Sequence, residues 1–151
     1  MVPRKEGSWR RDVEKIRALR PQSILFLCVA NSARSQMAEA IARYLAPIGI
    51  RVYSAGSIPT SPHPLAISTL GSLGIDASSQ TSKSVEDLFG TSMDVVVTLC
   101  QDEVCPVWLE DSARFHWPLP DPAAGPASGQ KNQFVEVCKE LQRRLKVLFR
   151  H

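Results

Sequence analysis

A continuous apolar run, Ser23-Ile-Leu-Phe-Leu-Cys28, leaves this chain few architectures to choose from. A run of strand length without polar alternation has to be covered on both faces, as central strands of parallel sheets are. After six intervening residues, Ser35-Gln-Met-Ala-Glu-Ala-Ile-Ala-Arg-Tyr-Leu-Ala46 is rich in strong helix formers and stops at Pro47, so the order is strand, short loop, helix. The order then repeats. Arg51-Val-Tyr-Ser54 reads as a second strand, and residues 64–73 read as a helix with Pro64 in the first turn and Gly74 beyond the end. Ser84 to Phe89 reads as a short helix, Met93 to Leu99 as another buried strand, Arg114 to Trp117 as a brief strand, and Phe134 to Phe149 as a closing amphipathic helix. Trp9, Val13, Ile16 and Leu19 stand at helical spacing ahead of Pro21, which predicts a helical extension within residues 1–22 before a main domain over 23–151.

The expected fold is therefore α/β, a three-layer open sheet of about four parallel strands with helices on both faces. Its right-handed crossovers place ligand sites beyond the carboxyl ends of the strands. Cys28 and Cys100 each end a predicted strand and so belong to that edge.

Composition narrows the function classes. With 151 residues, 44% hydrophobic and 22% charged, the chain suits one globular domain and excludes a disordered or fibrous one. No stretch approaches the roughly 18 apolar residues of a membrane span, and the first residues lack a signal-peptide core, so the expectation is a cytoplasmic monomer with no membrane contact. The net charge of +3 is concentrated at the two ends, where solvated helix faces account for it without a nucleic-acid partner. Four cysteines, Cys28, Cys100, Cys105 and Cys138, are too few and too far apart for a secreted disulfide scaffold. Cys100 and Cys105 have no second pair, and His63, His116 and His151 offer no matching spacing, so neither a metal nor another cofactor is expected.

The chemistry concentrates at Cys28-Val-Ala-Asn-Ser-Ala-Arg34-Ser35, a Cys-x5-Arg-Ser segment between strand and helix. A tight loop wrapping a helix start turns backbone N–H groups inward, and with the helix dipole they cradle a tetrahedral oxyanion. The cradle residues would be Val29, Ala30, Asn31, Ser32, Ala33 and Arg34, with the Arg34 guanidinium gripping two oxygens. A thiol with an ordinary pKa of about 8.5 ionises far more readily in such a field, so Cys28 is expected to act as a thiolate nucleophile. Ser35 can donate a hydrogen bond to it, and Asn31 tolerates a left-handed backbone.

Cys28-x-x-Asn-Ser-x-Arg-Ser-Gln-Met-Ala-Glu39 resembles the loop of thioredoxin-coupled arsenate reductases, which share the fold of low-molecular-weight protein tyrosine phosphatases. The likeness extends through Val52-Tyr-Ser-Ala-Gly56, Gly74-Ile-Asp76, Gln80-Thr-Ser82, Val97-Thr-Leu-Cys100, Cys105-Pro106, His116-Trp117 and Asp121-Pro-Ala123, and leaves residues 1–22 outside it. It implies a catalytic set of Cys28, Arg34, Ser35, Cys100, Cys105 and Asp121. Cys28 attacks arsenate, Asp121 assists departure of water or hydroxide, Cys100 attacks Cys28 and expels arsenite, and Cys105 attacks Cys100 to leave a disulfide that thioredoxin reduces. Phosphate should compete with arsenate.

The alternative that the same resemblance keeps open is hydrolysis of aryl phosphates, because the phosphatases carry the same loop; a binding-only oxyanion or redox sensor is a third class. Gln36 stands where the phosphatases usually have Pro, and Ala123 and Ala124 stand where they commonly have tyrosines, which favours the reductase. Four residues separate Cys100 from Cys105, against a usual six in the reductases. A regular helix over 100–105 would hold the two Cα atoms roughly 8 to 9 Å apart, beyond bridging reach, so oxidation requires unwound backbone there. Cys138 falls on the closing helix and reads as packing, with a minor claim to the third redox role. Some family members bind a monovalent cation through a carboxylate two residues after the Thr matching Thr81, and here that place is Lys83.

Overall fold

The computed structural model describes residues 7–101 and 104–150. Four strands, β1 (Ser23–Cys28), β2 (Arg51–Gly56), β3 (Val95–Thr98) and β4 (Ala113–His116), form one parallel sheet in the order β2-β1-β3-β4. The helices are α1 (Gly7–Leu19), α2 (Arg34–Leu45), α3 (Pro64–Ser72) and α4 (Ala127–Leu148). A 3-10 helix spans Val85–Leu88, capped reciprocally by Ser84 and Asp87.

Every residue of β1 is buried because the strand is central and both its faces are covered. Ile24 and Phe26 point into the larger core, which gathers Trp9, Val13 and Ile16 of α1, Met37 and Ile41 of α2, Leu70 of α3 and Phe134 and Leu141 of α4. Leu25 and Leu27 point to the opposite face, where the cover is the 3-10 helix residues Val85 and Leu88 together with Met93 and Trp108. Both faces are thus closed, one by four α-helices and the other by a 3-10 turn and irregular chain.

α1 docks as part of the main core and not as a separate unit. Its Arg17 Nη1 donates to the carbonyls of Val147, Leu148 and Arg150, closing the end of α4. The predicted strands and helices all appear, with shifted ends. The largest shift is at α4, which starts at Ala127 and not at Phe134. Its first turns, Ala-Ser-Gly-Gln-Lys-Asn-Gln, are polar and show no apolar period. Gln130 Nε2 ties them to the preceding loop through the carbonyls of Ala123 and Gly125.

Candidate active site

At the carboxyl end of β1 the chain turns through residues 29–33 and enters α2 at Arg34. No described side chain caps the start of α2, so its first amides are left for another acceptor, and a small cavity beside them is lined by Cys28, Ala30, Ser32, Arg34, Thr60 and Asp121 among others. The loop carbonyls are occupied from outside: the amides of Ile58, Thr60 and His63 donate to the carbonyls of Val29, Ala30 and Ser32 at 3.0, 3.1 and 2.9 Å. Carbonyls engaged from outside leave the loop's amides as the groups free to meet an anion, which is the polarity such a cradle requires.

Asn31 is the pivot of the loop. It is fully buried with φ of 46°, the left-handed conformation its residue type tolerates. The Lys83 backbone N–H donates to Asn31 Oδ1 at 2.8 Å, which fixes the amide orientation and turns Nδ2 toward the hydroxyls of Ser35 (2.8 Å) and Ser54 (2.9 Å). With its oxygen already accepting from Asn31, Ser35 has its proton left for the Cys28 sulfur 2.7 Å away. On the other branch Ser54 donates to Glu39 Oε1 at 2.5 Å. Glu39 is a buried carboxylate paired with Arg43 Nη1 at 3.2 Å and Lys83 Nζ at 3.5 Å. Buried charge is tolerable only when matched in this way. Lys83 Nζ also donates to Thr81 O at 2.8 Å, so an ammonium already answers the Glu39 carboxylate and these donors do not fit an added alkali cation.

Arg34 is buried beside the cavity, and its Nη1 donates to Leu119 O at 3.1 Å and Leu99 O at 3.5 Å. The guanidinium is thereby braced by the ends of β3 and of the chain after β4. Asp121 lines the same cavity from an exposed loop. One of its oxygens accepts from the Ala123 N–H at 3.0 Å, so it is a turn former and a cavity residue at once.

Cys100 and Cys105 are joined in a disulfide with Cα atoms 5.6 Å apart, and the described backbone around them is not helical. The four-residue spacing therefore closes; Asp102 and Glu103 lie outside the described residues. Cys100 is buried and Cys105 half-buried. Thr98 pairs with Leu27, and Leu99 N donates to Leu27 O, so Cys100 leaves the sheet next to the end of β1 that carries Cys28.

Cys138 is fully buried on α4, where burial pushes its thiol up to about 11. At pH 8 its thiolate fraction is then on the order of one in a thousand. Iodoacetamide on the oxidised native protein at that pH is expected to label Cys28 and to leave Cys138 unmodified until denaturant is added, as read by peptide mass spectrometry.

Sequence reading did not single out Thr60, quoted Ser54 and Gly56 only within the Val52–Gly56 likeness and without a role, and gave Glu39 and Gln36 no contacts. Gln36 Nε2 donates to the carbonyls of Asn31 and Thr81, stitching the loop to a distant segment. A larger groove of about 430 Å³ lies at the opposite end of the sheet beside Arg17, Ile24 and Leu148, and among the described residues no nucleophile or acid lines it.

Residues 23–151 match the low molecular weight phosphotyrosine protein phosphatase family. The chain belongs to that family. Among curated relatives, an arsenate reductase of Bacillus cereus (strain AH187) is 39% identical over 127 residues, spanning 83% of this chain and 92% of the relative. A solved arsenate reductase in its oxidized state superposes with a TM-score of 0.72 at 32% identity, over 85% of this chain and 96% of that one. The thioredoxin-dependent arsenate reductase of Corynebacterium glutamicum superposes with a TM-score of 0.62 at 26% identity, over 89% of this chain and 70% of that one.

Proposed function

We propose that this family member reduces arsenate to arsenite through three of its cysteines. The observation that carries the reading is a disulfide between Cys100 and Cys105 beside a free Cys28 in an oxyanion-shaped loop. A purely hydrolytic enzyme has no use for that pair.

In the proposed sequence the loop amides and Arg34 hold arsenate, and the Cys28 sulfur, donated to by Ser35, attacks arsenic. Asp121 supplies the proton with which an arsenate oxygen leaves as water. The Cys100 thiolate then attacks the Cys28 sulfur. An S–S bond forms, the S–As bond breaks with its electron pair passing to arsenic, and As(V) departs as As(III) in arsenite. Cys105 attacks Cys100, releasing Cys28 as a thiolate and leaving the Cys100–Cys105 pair. Phosphate, nearly isosteric with arsenate, binds the same cradle and competes. Hydrolysis of aryl phosphates would need only Cys28, Arg34 and Asp121, and is the less supported reading.

Regeneration takes two electrons from a dithiol protein of thioredoxin type. Attack should fall on Cys105, because Cys100 is buried and Cys105 lies among the exposed apolar residues Val104, Val107 and Leu109, a surface suited to a protein donor. The protein would work as a monomer in the cytoplasm, where such donors are kept reduced.

Mixing the reduced protein with arsenate and no reductant tests this directly. One equivalent of arsenite per chain should appear, with Cys100 and Cys105 bridged and Cys28 still open to alkylation. Absence of arsenite, or a chain left with all its thiols, defeats the reading. Adding a thioredoxin variant whose resolving cysteine is Ser should trap a mixed disulfide at Cys105 and none at Cys100.

A further inference from the structure

We infer that α1, which precedes the matched family region, is a positioning element for the oxyanion site, acting through a hydrogen bond from Trp117 to Asp12. The inference builds on the proposed roles of Arg34 and Asp121 but concerns residues those roles do not include.

Trp117 is a buried indole immediately after β4, and its Nε1–H donates to Asp12 Oδ2 at 3.1 Å across 105 residues of chain. From Trp117 the backbone runs straight into the site. Trp117 N donates to Thr98 O at 2.8 Å and Leu119 N to Leu99 O at 3.1 Å, continuing the β3–β4 pairing beyond the strand ends. Leu119 O receives Arg34 Nη1, and two residues later Asp121 lines the cavity with Cys28. The Trp117 anchor therefore stands at the base of the segment that braces the guanidinium and carries the acid.

Asp12 is held in place independently of the site. Trp9, Val13 and Ile16 bury one face of α1, and Arg17 ties its end to the last carbonyls of α4. The Arg144 guanidinium, paired with Glu140 at 2.9 Å, lies 5.6 Å from the Trp9 ring centroid and 5.9 Å from that of Trp117, so α4 bridges the two indoles as well. A buried indole N–H that loses its acceptor must find another by moving, and a shift at residue 117 is delivered to Leu119 and Asp121 through a short extended segment.

The test compares Asp12→Ala, Asp12→Asn and Val13→Ala in the full chain, well below their unfolding temperatures. Two readouts are taken: protection of Cys28 from iodoacetamide by inorganic phosphate, and arsenate turnover. Asp12→Ala is expected to weaken phosphate protection and to lower kcat, each by about three- to tenfold. Asp12→Asn, whose amide oxygen still accepts from the indole, should stay within about twofold of wild type. Val13→Ala removes buried α1 packing but keeps the Trp117–Asp12 hydrogen-bond partners, and should lower Tm while moving neither readout. Trp117→Phe, which deletes the donor and keeps a ring, should match Asp12→Ala, and the double variant should lose no more than either single one.

Equal behaviour of Asp12→Ala and Val13→Ala at equal loss of Tm would overturn the inference and reduce α1 to a stabilising strap. Failure of the wild type to reduce arsenate would sink the proposed reaction alone, since the phosphate arm still reports whether Asp12 positions the cradle.

Discussion

Cys100→Ser is expected to abolish arsenate reduction, by at least about a thousandfold, while keeping whatever aryl-phosphate hydrolysis the wild type shows; Cys28→Ser should remove both. The asymmetry follows from electron counting. Reducing As(V) to As(III) takes two electrons, and the chain supplies them by joining two sulfurs. Without Cys100 the arsenic adduct on Cys28 has no neighbouring thiolate to take its sulfur, and water returns it to arsenate. Phosphate ester hydrolysis asks only for a nucleophile, an anion cradle and a proton donor, all of which Cys100→Ser leaves standing. Cys100 is buried and Ser nearly matches it in shape, so the fold should survive. Parallel assays with arsenate plus a thioredoxin system and with an aryl phosphate decide the matter. Wild-type arsenate turnover by Cys100→Ser would mean that the disulfide is a bystander.

The parts of this site that could be read from the chain are those built by local rules. The apolar run 23–28, the helix formers after it and the Cys-x5-Arg spacing are contiguous, and the left-handed Asn31 follows from its residue type. What escaped reading was assembled across the sheet. Glu39 meets Lys83 over 44 residues and Gln36 meets Thr81 over 45; neither pair leaves any periodic trace. Gln36 stood out only as a departure from the phosphatase Pro, whereas its amide is a brace for the oxyanion loop. The start of α4 was missed for the opposite reason: residues 127–133 obey no apolar period because they are held from outside by loop carbonyls and not by a core face.

The same distinction explains how the loop holds an unusual backbone. Its outward carbonyls are taken by residues 58–63, its pivot Asn31 by Ser35, Ser54 and Lys83, and its arginine by the ends of two neighbouring chain segments. Each tether comes from a different element, so the loop is over-determined before substrate arrives. Such preorganisation is what lets amide dipoles stabilise charge without first reorienting.

The tightest of these constraints is steric, and it leads to the second large effect. Gly56 ends β2 opposite Cys28, and a Cβ there would collide with the Val29 carbonyl and come within 2.8 Å of Asn31 N. Both are backbone atoms of the oxyanion loop, pinned by the tethers above, so no flexible side chain can yield. Gly56 N is also bonded to Lys83 O at 2.9 Å, which stops β2 from backing away. Gly56→Ala should therefore push the loop off its cradle geometry, lowering arsenate turnover on the order of a hundredfold. It should cost about 2 kcal/mol or more of stability, a fall in Tm of roughly 4–8 °C for a chain of this size. Gly71→Ala is the matched control. Gly71 lies within α3 with nothing near its would-be Cβ, so the same substitution should leave turnover unchanged and raise stability by roughly 0.5–1 kcal/mol. Thermal unfolding and turnover of the two variants side by side separate the effects. A Gly56→Ala protein with wild-type activity would show that the loop can move as a unit, and would remove rigidity from the account of how it holds an oxyanion.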